Sequence, residues 1–523
     1  MKKFFMLFVV MLSHITAQIV WDSPINLSTL IASDPQVVVD PSGNITAAWV
    51  ENGFIKANTR PVGGNWGIAS TVSLLGGCSS PRLGVDDSGN VTAVWVQSGF
   101  VTTSIRALGI WSVLPIALSG AGASAPSLAV DGAGDVAVVW VRGGFIEAQQ
   151  KPSGGIFNLN SSVISSANSD HPDVAIGSNG NILAVWHNNS NGADLVYSST
   201  AVIGGNWSAS KTITPAGLAS LDHNYPKAAV DSSGNGYALW YRYTFDGTNY
   251  LNVSVLTSVL SANTGNWAPI PTLLSQGGMI NPSLLTNTIR VDSDGNAVAI
   301  WTTSFDNNTF QIESSSVNEG GNWLTTIEVV SSNLYSFAAD AATNSSGSIA
   351  SIDMYFDGST SSIESRESDM TGPFENFWST PVVLSNGTNQ GYPKIATAYI
   401  PGQNQSKYGV VWLASVSGTN TVQSVTGTLT NLNPPTNVGV VQSSTSYGVF
   451  TDYTNTLTWT ASTSPNLFGY AIYRNGIHMT DVGANLTLEY VEHNQVQQNG
   501  SVSYSVVAID NFGTQSQKIT VNI

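Results

Sequence analysis

The chain has 523 residues, long enough to bury a large core, yet only a tenth are charged and acid predominates (17 Lys+Arg against 33 Asp+Glu, formal net charge −16). Phosphate recognition needs clustered positive charge, so nucleic acid and anionic membrane surfaces are not expected partners. The single cysteine, Cys78, excludes an internal disulfide and a cysteine-built zinc site.

Taken in chain order, the first segment reads as an export signal. Lys2 and Lys3 give a positive start, residues 4–12 form an apolar run too short to span a bilayer, and residues 13–17 form a small-residue end with cleavage expected after Ala17. No later segment is apolar and long enough for a membrane helix. The expectation is an exported chain, secreted or displayed at the cell surface, with the periplasm as the other compartment consistent with the signal.

Residues 18–431 carry a repeat of roughly fifty residues. Its clearest units run from Pro35 to Trp49 and from Pro81 to Trp95, each with a turn glycine (Gly43, Gly89) six positions before the tryptophan. Trp140, Trp186, Trp240 and Trp301 keep that offset. A one-residue slip would turn every side chain over, so the constant spacing is informative. The Asp-x-x-Gly-Asn segment is a hairpin turn in which glycine supplies a positive φ and aspartate accepts backbone N–H bonds. The flanking runs are apolar on both faces and must be covered on both sides. A third strand follows a Gly-containing turn. A fourth opens with a second set of tryptophans: Trp66, Trp111, Trp207, Trp267, Trp323 and Trp378.

Four short antiparallel strands per unit, stacked face to face, make a β-propeller blade, with each core Trp an apolar wedge between blades. The fold class is therefore all-β. Eight units are counted, with seven blades as the alternative. The seventh unit has Asp353 in place of the wedge Trp. The eighth keeps Trp412 but lacks a fourth strand, and the segment at Trp21 matches the one at Trp378, so the N-terminal strand is expected to close the ring.

Residues 432–523 begin with a stiff Asn433-Pro434-Pro435 linker. Leu457-Thr-Trp459, Gly469-Tyr470-Ala-Ile-Tyr473 and Tyr504-Ser-Val-Val-Ala-Ile-Asp510 follow in the order found in fibronectin type III domains, which this segment resembles. The resemblance implies a seven-strand sandwich serving as spacer or binding module.

The chain as a whole resembles bacterial secreted β-propeller proteins of the sialidase-like, Trp-rich type. Propellers of this kind bind ligands on the face carrying the loops that lead into the innermost strands, here residues 165–172, 216–226, 276–282 and 386–393. The hairpins after the core Trp strands share that face, as at residues 245–247, 305–307 and 356–358. Loops carry specificity on rigid scaffolds. Two neighbouring loops hold Asp170-His171 and Asp222-His223-Asn-Tyr225, with His187 nearby in sequence. The chemical reading is an acid–base or metal-binding cluster, and the plainer one is capped turns with polar tips. Residues following each leading proline, Gln36, Arg82, Ser127, Asp173, Lys227, Ser283 and Lys394, are expected beside the axis. They could hold a sugar or peptide or simply line a wet channel. Tyr225, Tyr241, Tyr243, Tyr250 and Tyr392 could stack on a sugar, with core packing as the rival account for Tyr241 and Tyr243. Asp353 reads either as a catalytic carboxylate or as blade decay. The turns at Asp292 and Asp131 look a little like calcium loops but lack a full ligand set.

The candidate ligand-binding residues are Asp170, His171, Asp222, His223, Tyr225, Tyr392, Arg82 and Lys227. No catalytic set, resident metal or cofactor is assigned. The leading expectation is a binding or adhesion protein directed at a glycan or a surface protein. One alternative is a sialidase-like glycoside hydrolase. Against it, the Asp-box of that family, Ser-x-Asp-x-Gly-x-x-Trp, places Trp three after Gly rather than six, and the arginines show no family motif. A structural component of a surface assembly is the third reading.

Overall fold

The computed structural model describes residues 19–523 except 158–159, 190–193, 215–220, 246–249, 277, 281–285, 305–308, 319–320, 322, 324–326, 332–334, 346, 370–377, 388, 417, 431, 450, 465–466, 485, 495–501, 511–514 and 517. The export segment, Ser283, and the hairpin tips at 246–247 and 305–307 lie outside the described residues. Among those described there is no α-helix, only strands and one short 3-10 turn at Pro401–Gln403. None offers a helix long and apolar enough to cross a membrane.

The chain forms two compact units, Val20–Thr428 and Leu429–Ile523. The first contains, among the described residues, eight antiparallel sheets of four or five strands in chain order, a β-propeller arrangement. Their first strands are Ala32–Val39, Cys78–Val85, Ala123–Val130, Ser169–Ile176, Asp222–Val230, Asn287–Val291, Ser336–Thr343 and Gly391–Ile400. Each touches the first strand of the next sheet, and Gly391–Ile400 touches Ala32–Val39. The eighth sheet takes its outer strand from the start of the chain: Val20 pairs with Thr428, Trp21 with Gly427, and Ile25 with Ser424.

The repeat forms this structure for local reasons. In the first turn Asp40 accepts hydrogen bonds from the backbone of Ser42 (3.0 Å) and Asn44 (2.9 Å) and from the Asn44 amide (2.8 Å), while Gly43 sits at φ +85°. An L side chain disfavours that φ. The turn at Asp292, considered as a calcium loop, is the same device: its carboxylate is used by Asp294, Asn296 and the Asn296 amide.

Because both faces of each sheet are apolar, each sheet must bury itself against its neighbours. Trp49, Trp95, Trp140, Trp186, Trp240, Trp301 and Trp412 are all within 1% of complete burial. Trp95 packs with Ala48, Ile55 and Val72 of the preceding sheet, and Trp186 with Val139 and Ile146. Several indole N–H groups find a buried acceptor: Trp301 donates to Glu313 (2.9 Å), Trp140 to Glu147 (3.2 Å) and Trp240 to His223 Nδ1 (2.9 Å).

The seventh sheet solves the same problem with charge. Asp353 is fully buried, paired in register with Glu364, and both carboxylates are held by the Arg366 guanidinium, which is 3% exposed. No substrate could reach Asp353, so its place is structural rather than catalytic. Burial pushes its carboxyl up, Arg366 opposes this and Glu364 reinforces it, giving a pKa of about 6. The protonated form is therefore the stabilised one. That stability is complete below the unfolded pKa near ~3.9 and is lost as pH rises through about 6.

The second unit is a β-sandwich. A sheet of Thr436–Ser446, Thr451–Thr460 and Glu489–Asn494 and a sheet of Ile477–Gly483, Leu467–Arg474, Ser503–Asp510 and Ile519–Asn522 share one core of Leu457, Trp459, Tyr470, Ile472, Tyr504 and Val506. The Tyr470 hydroxyl accepts from the Ser462 backbone N–H (2.9 Å), tying the loop after Thr451–Thr460 to the core.

Two predictions follow from this packing. Trp95→Ala should lower unfolding free energy by ~3–5 kcal/mol, the range for deleting a buried aromatic, in a denaturant titration. Between pH 4.5 and 7.5 the parent chain should lose stability relative to Asp353→Asn, by on the order of 2 kcal/mol. Parallel profiles for the two proteins would show that Asp353 does not titrate as described.

Candidate functional site

The site is built on one repeated irregularity. In seven of the eight first strands the pairing slips by one residue, as between Ser33 and Gln36 or between Asp170 and Asp173. The bulged residue has a left-handed backbone each time: Asp34, Ser80, Ala125, His171, Tyr225, Ala338 and Tyr392, with φ between +48° and +58°. The residue after it is buried, a proline in six sheets and Ala339 in the seventh. Such a backbone costs an L residue roughly 1–3 kcal/mol, so the buried neighbour and the ladder on either side must hold it. A bulge re-aims its side chain. The scaffold thus offers the same presentation point on successive sheets and varies only what stands there.

On the fourth and fifth sheets these points carry large rings. His171 stacks on His187 (centroids 5.0 Å, 30° between planes) and meets Tyr225 edge-on at 4.8 Å. The Tyr225 and Tyr250 hydroxyls lie 3.2 Å apart, and Tyr250 stacks on Tyr243 at 3.8 Å. The series runs from Tyr243, 3% exposed, to the His171 side chain, 42% exposed. His187 is buried, and its Nδ1 has no hydrogen-bond partner among the described residues.

Three carboxylates border this wall. Asp170 accepts the His171 backbone N–H (2.7 Å). Asp222 approaches the Asp194 backbone N–H (3.5 Å), and burial pushes its carboxyl above the ordinary range. Asp194 acts electrostatically on His171, Tyr225 and Asp222. Burial lowers the His171 pKa. Asp170 and Asp194 oppose this, and His187 and Lys227 add to it, so the neutral imidazole is favoured. Burial and the Tyr250 hydroxyl raise the Tyr225 phenol well above its usual value.

Two positions beyond each bulge lies an inner tier: Gln36, Arg82, Ser127, Asp173, Lys227, Asp340 and Lys394. Each pairs with the residue before the wedge position of its sheet, and Thr288 holds the same register in the sixth sheet. Asp173 accepts from Ser127 Oγ (3.0 Å) and the Ala228 N–H (3.0 Å), with Lys227 at 3.6 Å. Asp340 takes Arg290 (3.0 Å) and Lys394 (3.9 Å).

The structure therefore gathers Asp170, His171, Asp222 and Tyr225 around one wall, and sets Arg82 and Lys227 in the tier beneath. One expectation needs correction. His223 is fully buried, and its Nδ1 accepts the Trp240 N–H, so it belongs to the core and not to the exposed face. Tyr392 is 71% exposed at the eighth sheet's bulge and has no ring contact with the wall among the described residues. Tyr241 and Tyr243 are core residues.

Thr288 stands where Ser283 was expected, and Asp340 and Asp194 were missed. Asp340 lacks a preceding proline, yet every tier residue of the first seven sheets lies seven positions before its turn glycine, a signal that finds both Thr288 and Asp340. A groove of about 410 Å³ lies elsewhere, at the seam of the N-terminal segment. It is lined by Trp66 and an Asp22–Arg60 ion pair already closed at 2.8 Å.

The environment of His171 can be checked directly. Its imidazole should titrate below ~6.5 by NMR, and Lys227→Gln should raise its midpoint. A midpoint at or above that of a free imidazole would contradict the burial described.

No protein-family profile matches the chain, and no curated protein sequence matches it. Among solved structures it is similar to the polysaccharide lyase Uly1, at 10% identity and a TM-score of 0.41 over 77% of this chain and 99% of that one. It is also similar to an α-L-arabinanase from Penicillium chrysogenum solved with arabinobiose, at 10% identity and 0.38 over 78% and 98%. A third is an α-L-arabinofuranosidase from Fusarium graminearum, at 13% and 0.33 over 57% and 96%. Identities this low leave the chemistry to be read from the chain's own residues.

Proposed function

We propose that this chain is an exported carbohydrate-binding protein, with the ligand held at the propeller mouth over the fourth and fifth sheets. The observation that carries this reading is the rigid series of rings ending at His171 and Tyr225, bordered by Asp170, Asp194 and Asp222. A sugar presents an apolar face that stacks on an aromatic ring and a rim of hydroxyls that donate to carboxylates. A wall already locked by stacking loses little entropy on binding. In this reading the eight sheets are eight blades of one ring, closed by the Val20–Trp21 strand, because an unpaired outer edge would invite aggregation. The sandwich serves as a fibronectin type III spacer, supported by its three- and four-stranded sheets around Trp459 and Tyr470.

A second reading, glycoside hydrolysis, is favoured by one observation. Asp222 is held towards its protonated form beside Asp194, the division of labour a general acid and its partner carboxylate require.

A glycan array probed with the purified chain tests the first reading. Tyr225→Ala should weaken the best glycan at least tenfold, and Tyr392→Ala should have a smaller effect, since Tyr392 stands apart from the wall. Absence of binding to every glycan would overturn the proposal. Release of reducing sugar from that glycan, abolished in Asp222→Asn, would establish the second reading, and an intact glycan after prolonged incubation would remove it.

A further inference from the structure

The inner tier holds an excess of positive charge that its own carboxylates do not use up. Arg82, Lys227 and Lys394 of the tier, with Arg290 two residues beyond Thr288, are set against two carboxylates, Asp173 and Asp340. Both carboxylates are committed to structure. Asp173 takes Ser127 Oγ and the Ala228 N–H, and Asp340 takes the Ile395 N–H (3.4 Å), so each stitches one sheet to the next. Lys227, Arg290 and Lys394 nevertheless keep 41% of their side-chain surface exposed.

Arg82 forms no ion pair within 4 Å among the described residues, and its Nη1 donates to the neighbouring Pro81 carbonyl (2.8 Å). Its more distant charged neighbours are Asp173 and the exposed Asp34. The charges of the other three cations converge on Lys394. Asp340 raises the Lys394 ammonium, but burial and the charges of Arg82, Lys227 and Arg290 outweigh it and lower the pKa. In a chain of net charge −16, this is a concentration of unlike sign. Like charges assembled in a confined, partly desolvated place are relieved by an anion, and clefts of one sign focus the field on such a ligand.

We propose that this tier binds the anionic group of an acidic glycan, a uronate carboxylate or a sulfate ester, whose neighbouring sugar ring stacks on the His171–Tyr225 wall. The inference rests on the carbohydrate reading above and adds the class of sugar. Lys227 links the two parts, since it lies in the tier and acts electrostatically on His171. Arg82 supplies the planar donor suited to carboxylate or sulfate, Lys227 and Lys394 supply point charges, and Arg290, whose nitrogens are engaged by Asp340 and the Ile289 and Ala341 carbonyls, contributes its charge.

The test is calorimetric titration of the full chain with three probes: an oligogalacturonate, a sulfated oligosaccharide and an uncharged cello-oligosaccharide. At least one acidic probe should bind ten times or more tighter than the neutral one, with affinity falling as salt rises. Which acidic probe binds identifies the source of the anion. Lys227→Gln combined with Lys394→Gln should erase the acidic advantage, while the Lys→Arg pair, which keeps the charge, should retain it and guard against a folding defect. Equal affinity for neutral and acidic probes, or an acidic advantage untouched by the Gln pair, overturns the inference and leaves the carbohydrate reading standing. Failure of all three probes overturns the inference, while the glycan array decides the carbohydrate reading by itself.

Discussion

The structure depends on the burial of one indole in each of seven of the eight sheets of the first unit, packed between neighbouring sheets. A four-stranded sheet with apolar residues on both faces has no stability of its own, and because a second layer covers only one face it needs a neighbour on each side. The wedge tryptophan supplies the largest block of apolar area at each junction and a single donor that must be satisfied. Glu147, Glu313 and the imidazole of His223 meet that need from within the protein. A buried histidine two residues from the wall is thus explained by the indole it serves.

The seventh sheet shows what replaces a wedge when the indole is gone. Asp353, Glu364 and Arg366 occupy the junction as a buried triad with more negative than positive charge. Buried ion groups rarely add stability over apolar packing, and their chief effect is to penalise any arrangement that leaves one unpaired.

Much of the fold was legible because it repeats. The six-residue interval from turn glycine to tryptophan, the aspartate-capped turns and the match between Trp21 and Trp378 all report backbone geometry that a side chain must satisfy locally. The site was less legible. Leading prolines pointed to His171, Tyr225 and Tyr392, but not to the reason these residues stand out, which is a left-handed bulge visible only in the backbone. His223 misled because its dipeptide, Asp-His, reads the same as Asp170-His171, while the two histidines lie at different places relative to the bulge: one on it, one two residues before the residue that occupies it. Asp340 was hidden by a proline replaced with alanine. Asp194 was hidden because proximity between adjacent sheets leaves no trace in spacing.

The outer strand of the eighth sheet comes from the opposite end of the unit, with the Ser28 hydroxyl accepting the Val422 N–H at 2.7 Å. Bringing such distant segments together costs about 5 kcal/mol in loop entropy for an otherwise free chain. Sheets already packed between the two segments would hold the ends near each other and reduce that cost. In synthesis the strand at Val20 precedes its partner at Thr428 by about four hundred residues. For most of that interval Trp21 and an unpaired ladder are left uncovered, so the newborn chain has a long window in which it must be kept from self-association.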